Sequence, residues 1–431
     1  MIQSHFPVKE KPVIKKELHY KIKDIALADQ GKHNIETAME NMPVMKIIHD
    51  RFQYQSFFKN IKIAVCSHIT KETAIACIAF KNAGAEVLLV SSNPNSTQDE
   101  VAAALVKYYD ISVYGHSEQT KDEWIEYRKV IFEFWPDILL DDGAEILPMV
   151  YESCPELAGH LIGTTEQTTS GVKKVKNMER EGILKHPVIA VNSSKIKYMF
   201  DNRFGVGQTS TTTILNLSNV LVGAERVVVI GYGPAGKGIA VNMRGMGGHV
   251  IVCEVDPIRA LEAYMDGFEV MSIEKAAERG SIFVTATGSC DVIPIDMIMK
   301  MRSGAILSNC GSGQVEFDYE GLKKIAAAHE EVHPYMEKFV LPSGRYVYVL
   351  TQGRVTNLVA GEGNPSAIMD LSFASISLAA EYLVKNKLEN RVYVLPEEID
   401  RAIGRIKLNE FEISLSKPTE KQKVYDRDWH K

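Results

Sequence analysis

The chain reads as an α/β protein of two lobes, each built on a doubly wound parallel sheet. Three observations predict this. From Ile61 onward, short apolar runs alternate with helix-length stretches, the pattern of parallel strands joined by crossover helices. In the middle, the apolar run Val227–Ile230 leads into a glycine triad, a helix pattern and a second apolar run. Beyond residue 363 the pattern returns to helix. The expected organisation is a first lobe from residues 1–192 with 363–412, a central domain at 208–362, and a short tail at 413–431.

Residues 17–60 look helical and partly amphipathic, and Met42-Pro43 restarts a helix through Met45, Ile47, Ile48 and Phe52. Ile61–Cys66 reads as a strand and Lys71–Ala83 as a helix closed by Gly84. Glu86–Ser91 is the next strand, Gln98–Tyr109 the next helix, and Asp137–Asp142 a strand cut off by Gly143. In the central domain, Val227–Ile230 enters Gly231-x-Gly233-x-x-Gly236, the helix pattern Lys237–Arg244 follows, and the strand pattern His249–Glu254 ends in an acid. Gly231 permits the tight turn, Gly233 lets backbone approach a pyrophosphate, and Gly236 lets helix pack on strand. The helix N-terminus offers free N–H groups to phosphates. Glu254 is placed to accept from ribose hydroxyls, which favours NAD, while Arg259 is the nearby residue able to hold a 2′-phosphate. Strand, triad, helix, strand and acid together predict a Rossmann domain that binds NAD. Its later strands are expected at Ser281–Thr285 and Gly304–Ser308. A helix is expected over 365–400 with Ile368, Leu371, Phe373, Ile376, Leu378 and Tyr382 apolar, and hinges near 193–208 and 363–366.

Bulk properties narrow the class. The 431 residues are 45% hydrophobic and 24% charged, a globular balance. A net charge of −6 supplies no basic field for nucleic acid or a membrane surface. The only basic-leaning stretch, Lys9–Lys16, is diluted by Glu10 and Pro12 and reads as a solvated tail. No uninterrupted apolar run of about 18 residues exists, so no membrane span is expected. The opening Met-Ile-Gln-Ser-His-Phe-Pro lacks a signal-peptide layout. Six scattered cysteines without a C-x-x-C pair point to free thiols in a reducing, cytoplasmic setting and to no metal site.

Ligands of open α/β sheets sit beyond the carboxyl ends of strands, which marks Ser67-His68, Asp141-Asp142 and Thr285–Gly288 as candidate site loops. The hydroxyl-rich Gly163–Ser170 and the segment Lys195–Arg203 add Lys197, Asp201 and Asn202. Taken singly, each has a plain reading: His68 a cap, Asp142 a turn former, Lys197 a surface lysine. Taken together, the motifs resemble the S-adenosylhomocysteine hydrolase (adenosylhomocysteinase) family over nearly the whole chain. The likeness is carried by Lys23–Ala28, Met42-Pro43, Cys66–Thr73, Ser96–Asp99 with Ala102–Ala104, Asp141–Gly143, Thr168–Gly171, Lys197–Asn202, the fingerprint with Glu254–Pro257, Gly353–Leu358 and Pro365-Ser366.

The resemblance implies an enzyme that uses tightly held NAD as a catalyst. The ribose 3′-hydroxyl is oxidised, the C4′ proton becomes acidic, the 5′ substituent leaves, water adds, and the ketone is reduced back. It implies that Lys197 with Asp201 handles the 3′-hydroxyl and C4′ protons, and that His68, oriented by Asp142, serves the leaving group and water. Asn202 and Asn357 would hold nicotinamide or ribose; Thr168, Thr169, Thr285, Thr287, Gly288 and Asn309 would line the cofactor. Thr70 and Glu72 would face the purine edge, with Gln167, Ser312, Glu362 and Asn364 around the substrate. The family is homo-oligomeric, so a dimer or tetramer is expected.

Departures from the family pattern gather at the same site. Its paired glutamates read Glu166-Gln167, its cysteine near the nicotinamide is Val206, and its two histidines read Ser312 and Asn364. The chain stops soon after Pro418–Tyr425, which suggests a less covered cofactor. With the fingerprint, His68, Asp142, Lys197 and Asp201 all present, an altered substrate is the expectation. The substrate is then a variant adenosine-type nucleoside, with an enzyme that stops at 4′,5′-elimination and a silent NAD-binding regulator as alternatives.

Overall fold

The computed structural model describes residues 19–429. The tail reading of Lys9–Lys16 lies outside them. In chain order the strands are β1 (Lys62–Ser67), β2 (Glu86–Ser91), β3 (Ser112–Tyr114), β4 (Ile138–Asp141), β5 (Gly163–Glu166), β6 (Val188–Ala190), β7 (Arg226–Ile230), β8 (His249–Cys253), β9 (Glu269–Val270), β10 (Ile282–Thr285), β11 (Ala305–Asn309), β12 (Ala328–His333), β13 (Met336–Val340), β14 (Tyr346–Leu350) and β15 (Val392–Val394). They form two sheets, ordered β15-β6-β5-β4-β1-β2-β3 and β12-β13-β14-β11-β10-β7-β8-β9.

The first sheet is parallel throughout. Its strands are buried on both faces, which is why Ile63–Cys66 and Val87–Val90 read as unbroken apolar runs. Apolar layers cover each face: one holds Phe52, Phe58, Phe80 and Phe373, the other Leu139, Leu147 and Leu157. From β1 the chain moves outward through β2 to β3, then returns to β4 and moves the other way. The strand order therefore reverses between β1 and β4. In the second sheet it reverses between β7 and β10. Crevices for ligands open at such reversals, beyond the strands' carboxyl ends.

Two expectations are corrected. The helix expected over 365–400 ends at Lys385; β15 intervenes and a separate helix runs Glu397–Glu410. The polar stretch 386–390 interrupts the apolar periodicity, and Pro396 precedes the new start. The second sheet is not parallel throughout, because β13 pairs antiparallel with both β12 and β14. Tight turns at Pro334-Tyr335 (Tyr335 φ 65°) and at Pro342–Gly344 (Gly344 φ 81°) reverse the chain there. Within 193–208, where a hinge is expected, a π-helix, Lys197–Gly205, runs directly into an α-helix, Val206–Ser218. Strand ends otherwise shift by one or two residues.

The helix Ser366–Lys385 is long and apolar enough to cross a membrane, but it is 72% buried inside the protein. Its apolarity serves the first lobe's core. With it, residues beyond 363 rejoin the first sheet, where β15 pairs with β6.

His186, just before β6, is buried, with Nδ1 2.8 Å from Ala158 O and Nε2 2.9 Å from the Thr164 hydroxyl. Burial lowers its pKa to about 4. The unfolded chain therefore binds a proton between pH 6.5 and 4 that the folded chain refuses. Its contribution is present above pH 6.5 and is lost as pH falls toward 4. Replacing His186 with Gln should remove roughly 2 kcal/mol of the stability lost between pH 7 and pH 5. Denaturant midpoints at the two pH values measure this, and equal losses in both proteins would reject it.

Candidate active site

Four neighbouring strands of the first sheet, β6, β5, β4 and β1, deliver polar residues at their carboxyl ends. His68 follows β1, Asp142 follows β4, Gln167 follows β5, and Asn192 and Lys197 follow β6. His68 and Asp142 face each other across the β1–β4 reversal, with Nε2 3.7 Å from Asp142 Oδ2. Ser96 donates its proton to Asn93 O (3.0 Å) and hydrogen-bonds His68 Nδ1, so it accepts from that nitrogen. This tautomer leaves Nε2 as the basic nitrogen, beside a carboxylate that stabilises an imidazolium. The line continues from Asp142 Oδ2 to the Ser67 hydroxyl (3.3 Å) and on to Gln167 Nε2 (3.1 Å).

The second cluster owes its geometry to the π-helix. Val206 N–H reaches Asp201 O, five residues back, and the wider turn brings both Asp201 and Asn202 beneath Lys197. Lys197 Nζ donates to Asp201 Oδ2 at 2.5 Å and to Asn202 Oδ1 at 3.1 Å. Asn202 Nδ2 donates to Asn192 Oδ1 (2.9 Å), and Asn192 Nδ2 to the Thr169 hydroxyl (3.0 Å). On the other side, Ser372 and Asn364 donate to Asp201 at 2.5 and 2.6 Å.

Glu166 supports the site from below. Its carboxyl accepts from Gly143 N, Ala144 N, Thr168 N and the Thr168 hydroxyl, tying the β4 loop to the β5 loop. Burial, then the Asp141 and Asp142 charges, push this carboxyl up, against the hydrogen bonds that favour its charged form. Thr70 caps the helix Lys71–Asn82 through Thr73 N. The buried Glu72 carboxylate accepts from Ser366 at 2.6 Å, and the exposed Glu362 lies 3.4 Å from Lys71 Nζ.

The second lobe holds the fingerprint. Gly231 has φ +96°, where a Cβ would meet Ala286 O at 2.8 Å; a Cβ on Gly236 would lie 1.9 Å from Gly231 O. Around Gly233 the nearest atom is Arg259 Nη1, 3.7 Å from a built Cβ, so this side of the turn is open. The helix Pro234–Gly245 carries no side-chain cap, leaving its N-terminal N–H groups free. Glu254 accepts from Tyr232 N, Val255 N and Asp256 N, which pin its carboxylate beside the turn. Glu316 gathers Thr287 N, the Thr287 hydroxyl, Gly288 N and Ser312 N, fixing the loops after β10 and β11 together. Asn309 Nδ2 fastens those loops to Gly353 O at 2.9 Å. Buried Asn357 donates to Thr209, but its Oδ1 has no partner. An open, uncapped phosphate turn, a pinned acid and an orphaned buried acceptor in the same lobe fit a dinucleotide whose amide end would donate to Asn357.

The geometry thus brings together His68 with Asp142, Lys197 with Asp201 and Asn202, and the glycine turn with Glu254. Sequence reasoning missed Ser96, Asn192, Thr209, Ser372 and Glu316. Asn192 was findable as a polar residue just after a strand. Ser372 and Glu316 carry no local signal, since a helix serine and a lone acid acquire meaning only from what packs on them.

Fold and site together define an NAD-dependent, two-lobed α/β protein. The family description for the NAD-binding domain of S-adenosyl-L-homocysteine hydrolase matches residues 202–363, and that for S-adenosyl-L-homocysteine hydrolase matches residues 19–157. Adenosylhomocysteinase of Sulfurisphaera tokodaii is 45% identical over 414 residues, covering 96% of this chain and 99% of the relative. That of Saccharolobus solfataricus is 46% identical over 415 residues, with the same coverage. Among solved structures, a glyoxylate reductase from Paecilomyes thermophila aligns over 78% of this chain and 99% of its own, at 11% identity and a TM-score of 0.41. The chain belongs to the S-adenosyl-L-homocysteine hydrolase family, and its cofactor is NAD.

Replacing Glu254 with Ala should weaken NAD by about 1.5–3 kcal/mol, the worth of a hydrogen bond to a charged group. Calorimetric titration of cofactor-free protein measures the shift; an unchanged Kd would remove Glu254 from the site.

Proposed function

We propose that this protein acts on an adenosine-type nucleoside bearing a 5′ substituent, by the oxidation, elimination and re-reduction chemistry of its family, on a variant substrate. The observation that carries the reading is that two separate pairs, Lys197–Asp201 beyond β6 and His68–Asp142 beyond β1 and β4, lie past the carboxyl ends of strands of one sheet, with β5 between them. Bound NAD supplies the hydride acceptor, and later donor, at C3′. Lys197, positioned by Asp201, takes the 3′-hydroxyl proton and serves C4′. His68 Nε2 carries a proton to or from the 5′ side, with Asp142 stabilising the charged imidazole. Thr70, Glu72, Gln167, Ser312 and Glu362 surround the purine and the 5′ group.

The variant substrate is supported by Gln167, Ser312 and Asn364, which stand where the family has a carboxylate and two histidines. Gln167 donates to Ser67, Ser312 N–H goes to Glu316, and Asn364 is engaged with Asp201. Neither Ser312 nor Asn364 can act as an acid near pH 7. This favours one further reading, an enzyme that stops at elimination and leaves a 4′,5′-alkene, with water as the 5′ leaving group.

In this reading the protein is a cytoplasmic homo-oligomer. Val255, Ile258, Leu261, Tyr264 and Met265 form an apolar face on and beside the helix Pro257–Met265, exposed by 99, 78, 56, 65 and 75%. A monomer seldom leaves such a face in water, and a second copy supplies a symmetric cover. Light scattering should give a mass above one chain that falls when Ile258 and Leu261 become Glu; a monomeric wild type rejects this part.

Separable roles give the decisive experiment. Lys197→Ala should abolish nicotinamide reduction with every nucleoside. His68→Ala should still reduce the cofactor, or exchange the C4′ proton, but release the 5′ group about 10²–10⁴-fold more slowly. Thiol release from S-adenosylhomocysteine should be poor beside a better nucleoside in a panel scored by absorbance and product mass. Rapid turnover of S-adenosylhomocysteine, unaffected by either substitution, overturns both the roles and the variant substrate.

A further inference from the structure

We propose that Asn364 is a positioning residue that orients Asp201 toward Lys197 and does so only when the two chain crossings between the lobes lie together. The inference rests on the proposed chemistry and adds a residue role to it.

Asp201 has two oxygens and both are taken. Oδ2 accepts from Lys197 Nζ and the Ser372 hydroxyl, each at 2.5 Å; Oδ1 accepts from Asn364 Nδ2 at 2.6 Å. The amide cannot be reversed, because its oxygen would then face a carboxylate. Asn364 Oδ1 lies 3.1 Å from the Thr209 hydroxyl, whose single proton it shares with Gly205 O at 2.9 Å, and Thr209 accepts from Asn357 Nδ2 at 3.1 Å. A line of polar contacts therefore runs from Asn357, whose Oδ1 has no partner, to the base Lys197. Gly205 makes room for it: a Cβ there would lie 2.9 Å from Asn364 Cγ and Nδ2.

The two partners sit on different crossings. Asp201 belongs to the helical run from 197 to 218; Asn364 belongs to the return, between the short helix Thr356–Val359 and Ser366–Lys385. Separating the crossings withdraws the amide on Oδ1 and leaves Asp201 held through Oδ2 alone, by Lys197 and Ser372. A hinge that opens thus loosens the orientation of Asp201 before solvent reaches the oxidised sugar.

Among the described residues Lys197 is the one charged group in hydrogen-bond contact with Asp201; Asn364, Ser372 and Thr209 are neutral at ordinary pH. Asn364→Asp turns a permanent donor into a titrating one. It can donate to Asp201 while the carboxyl pair keeps one proton, and repels it once both ionise. Holoenzyme is mixed with the nucleoside that reduces the wild-type cofactor fastest, and the reduction rate is followed against pH. Asn364→Ala should slow reduction by about 100-fold at every pH. Asn364→Asp should show a new loss of rate as pH rises, absent from the wild type. Binding of a 3′-deoxy analogue, which cannot be oxidised, should stay within about threefold in both variants. Wild-type rates in both variants, or rate and binding lost in proportion, overturn the role.

A readout without turnover separates this from the proposed function. In nucleoside-free protein above the pair's ionisation, Asn364→Asp should slow acylation of Lys197 by about tenfold relative to exposed Lys195, because the added charge stabilises the ammonium. A wild type whose cofactor is reduced by no nucleoside overturns the proposed chemistry. Unchanged Lys197 acylation in Asn364→Asp overturns the placement of Asn364 whatever the substrate is.

Discussion

The Asp201 carboxylate is the point on which the rest of the structure closes. It is 2% exposed, and a buried carboxylate costs several kcal/mol unless its charge and lone pairs are met. Its three donors come from three places: Lys197 one helical turn earlier, Ser372 on the long core helix of the first lobe, and Asn364 on the return crossing. No local segment can satisfy it alone. The first lobe must be folded, the chain must have passed through the second lobe, and the return must lie against the outward crossing. The carboxylate proposed to position Lys197 is thereby made conditional on the whole topology.

Close helix packing carries that condition to the cofactor. The helix Val206–Ser218 continues from the π-helix and lies against the fingerprint helix Pro234–Gly245. At their contact, a Cβ on Gly238 would come within 1.9 Å of Arg203 O, and one on Gly207 within 2.7 Å of Gly238 Cα. Gly238 lies beyond the fingerprint triad and serves this approach, not the phosphates. Because the backbones touch, the phosphate-binding helix cannot slide relative to Lys197 and Asp201. The separation between cofactor turn and base is set by two glycines, and any side chain there would change it.

Much of this was legible in the sequence, for physical reasons that also mark where legibility stops. Buried parallel strands must be continuously apolar, so β1, β2, β4, β7 and β8 stood out. The glycine triad has one economical explanation once strand, helix and acid surround it. The antiparallel strands β12–β14 were missed because Ala328–His333 is wholly exposed and has no apolar rhythm to read. The break after Lys385 was missed because Val392–Val394 is too short to announce a strand. His68, Asp142 and Lys197 were nameable only through resemblance, since a single polar residue after a strand has several plain explanations. The π-helix was invisible: its extra residue per turn is a response to tertiary contacts, not a local propensity.

The two proton-handling pairs differ in what holds them. His68, Asp142, Ser67, Gln167 and Ser96 all belong to the first lobe and to the loops of one sheet. Their mutual hydrogen bonds lie within that lobe, and the second lobe touches the surrounding loops through Arg354 with Asn95, Glu362 with Lys71, and Gly288 O with Lys173. Lys197 and Asp201 instead lie on a crossing and are completed by the other crossing. Movement between the lobes therefore acts unequally, withdrawing Asn364 from the Lys197–Asp201 pair while leaving the His68–Asp142 pair assembled. The proposed chemistry, which begins with oxidation at C3′, needs this order of control. The group at C5′ becomes labile only after the 3′ carbon is oxidised, so a permanently assembled 5′ pair does no harm, whereas a 3′ base active in an open cleft would expose a reactive sugar to water. The division of the site between a lobe and a hinge supplies that asymmetry without a separate lid.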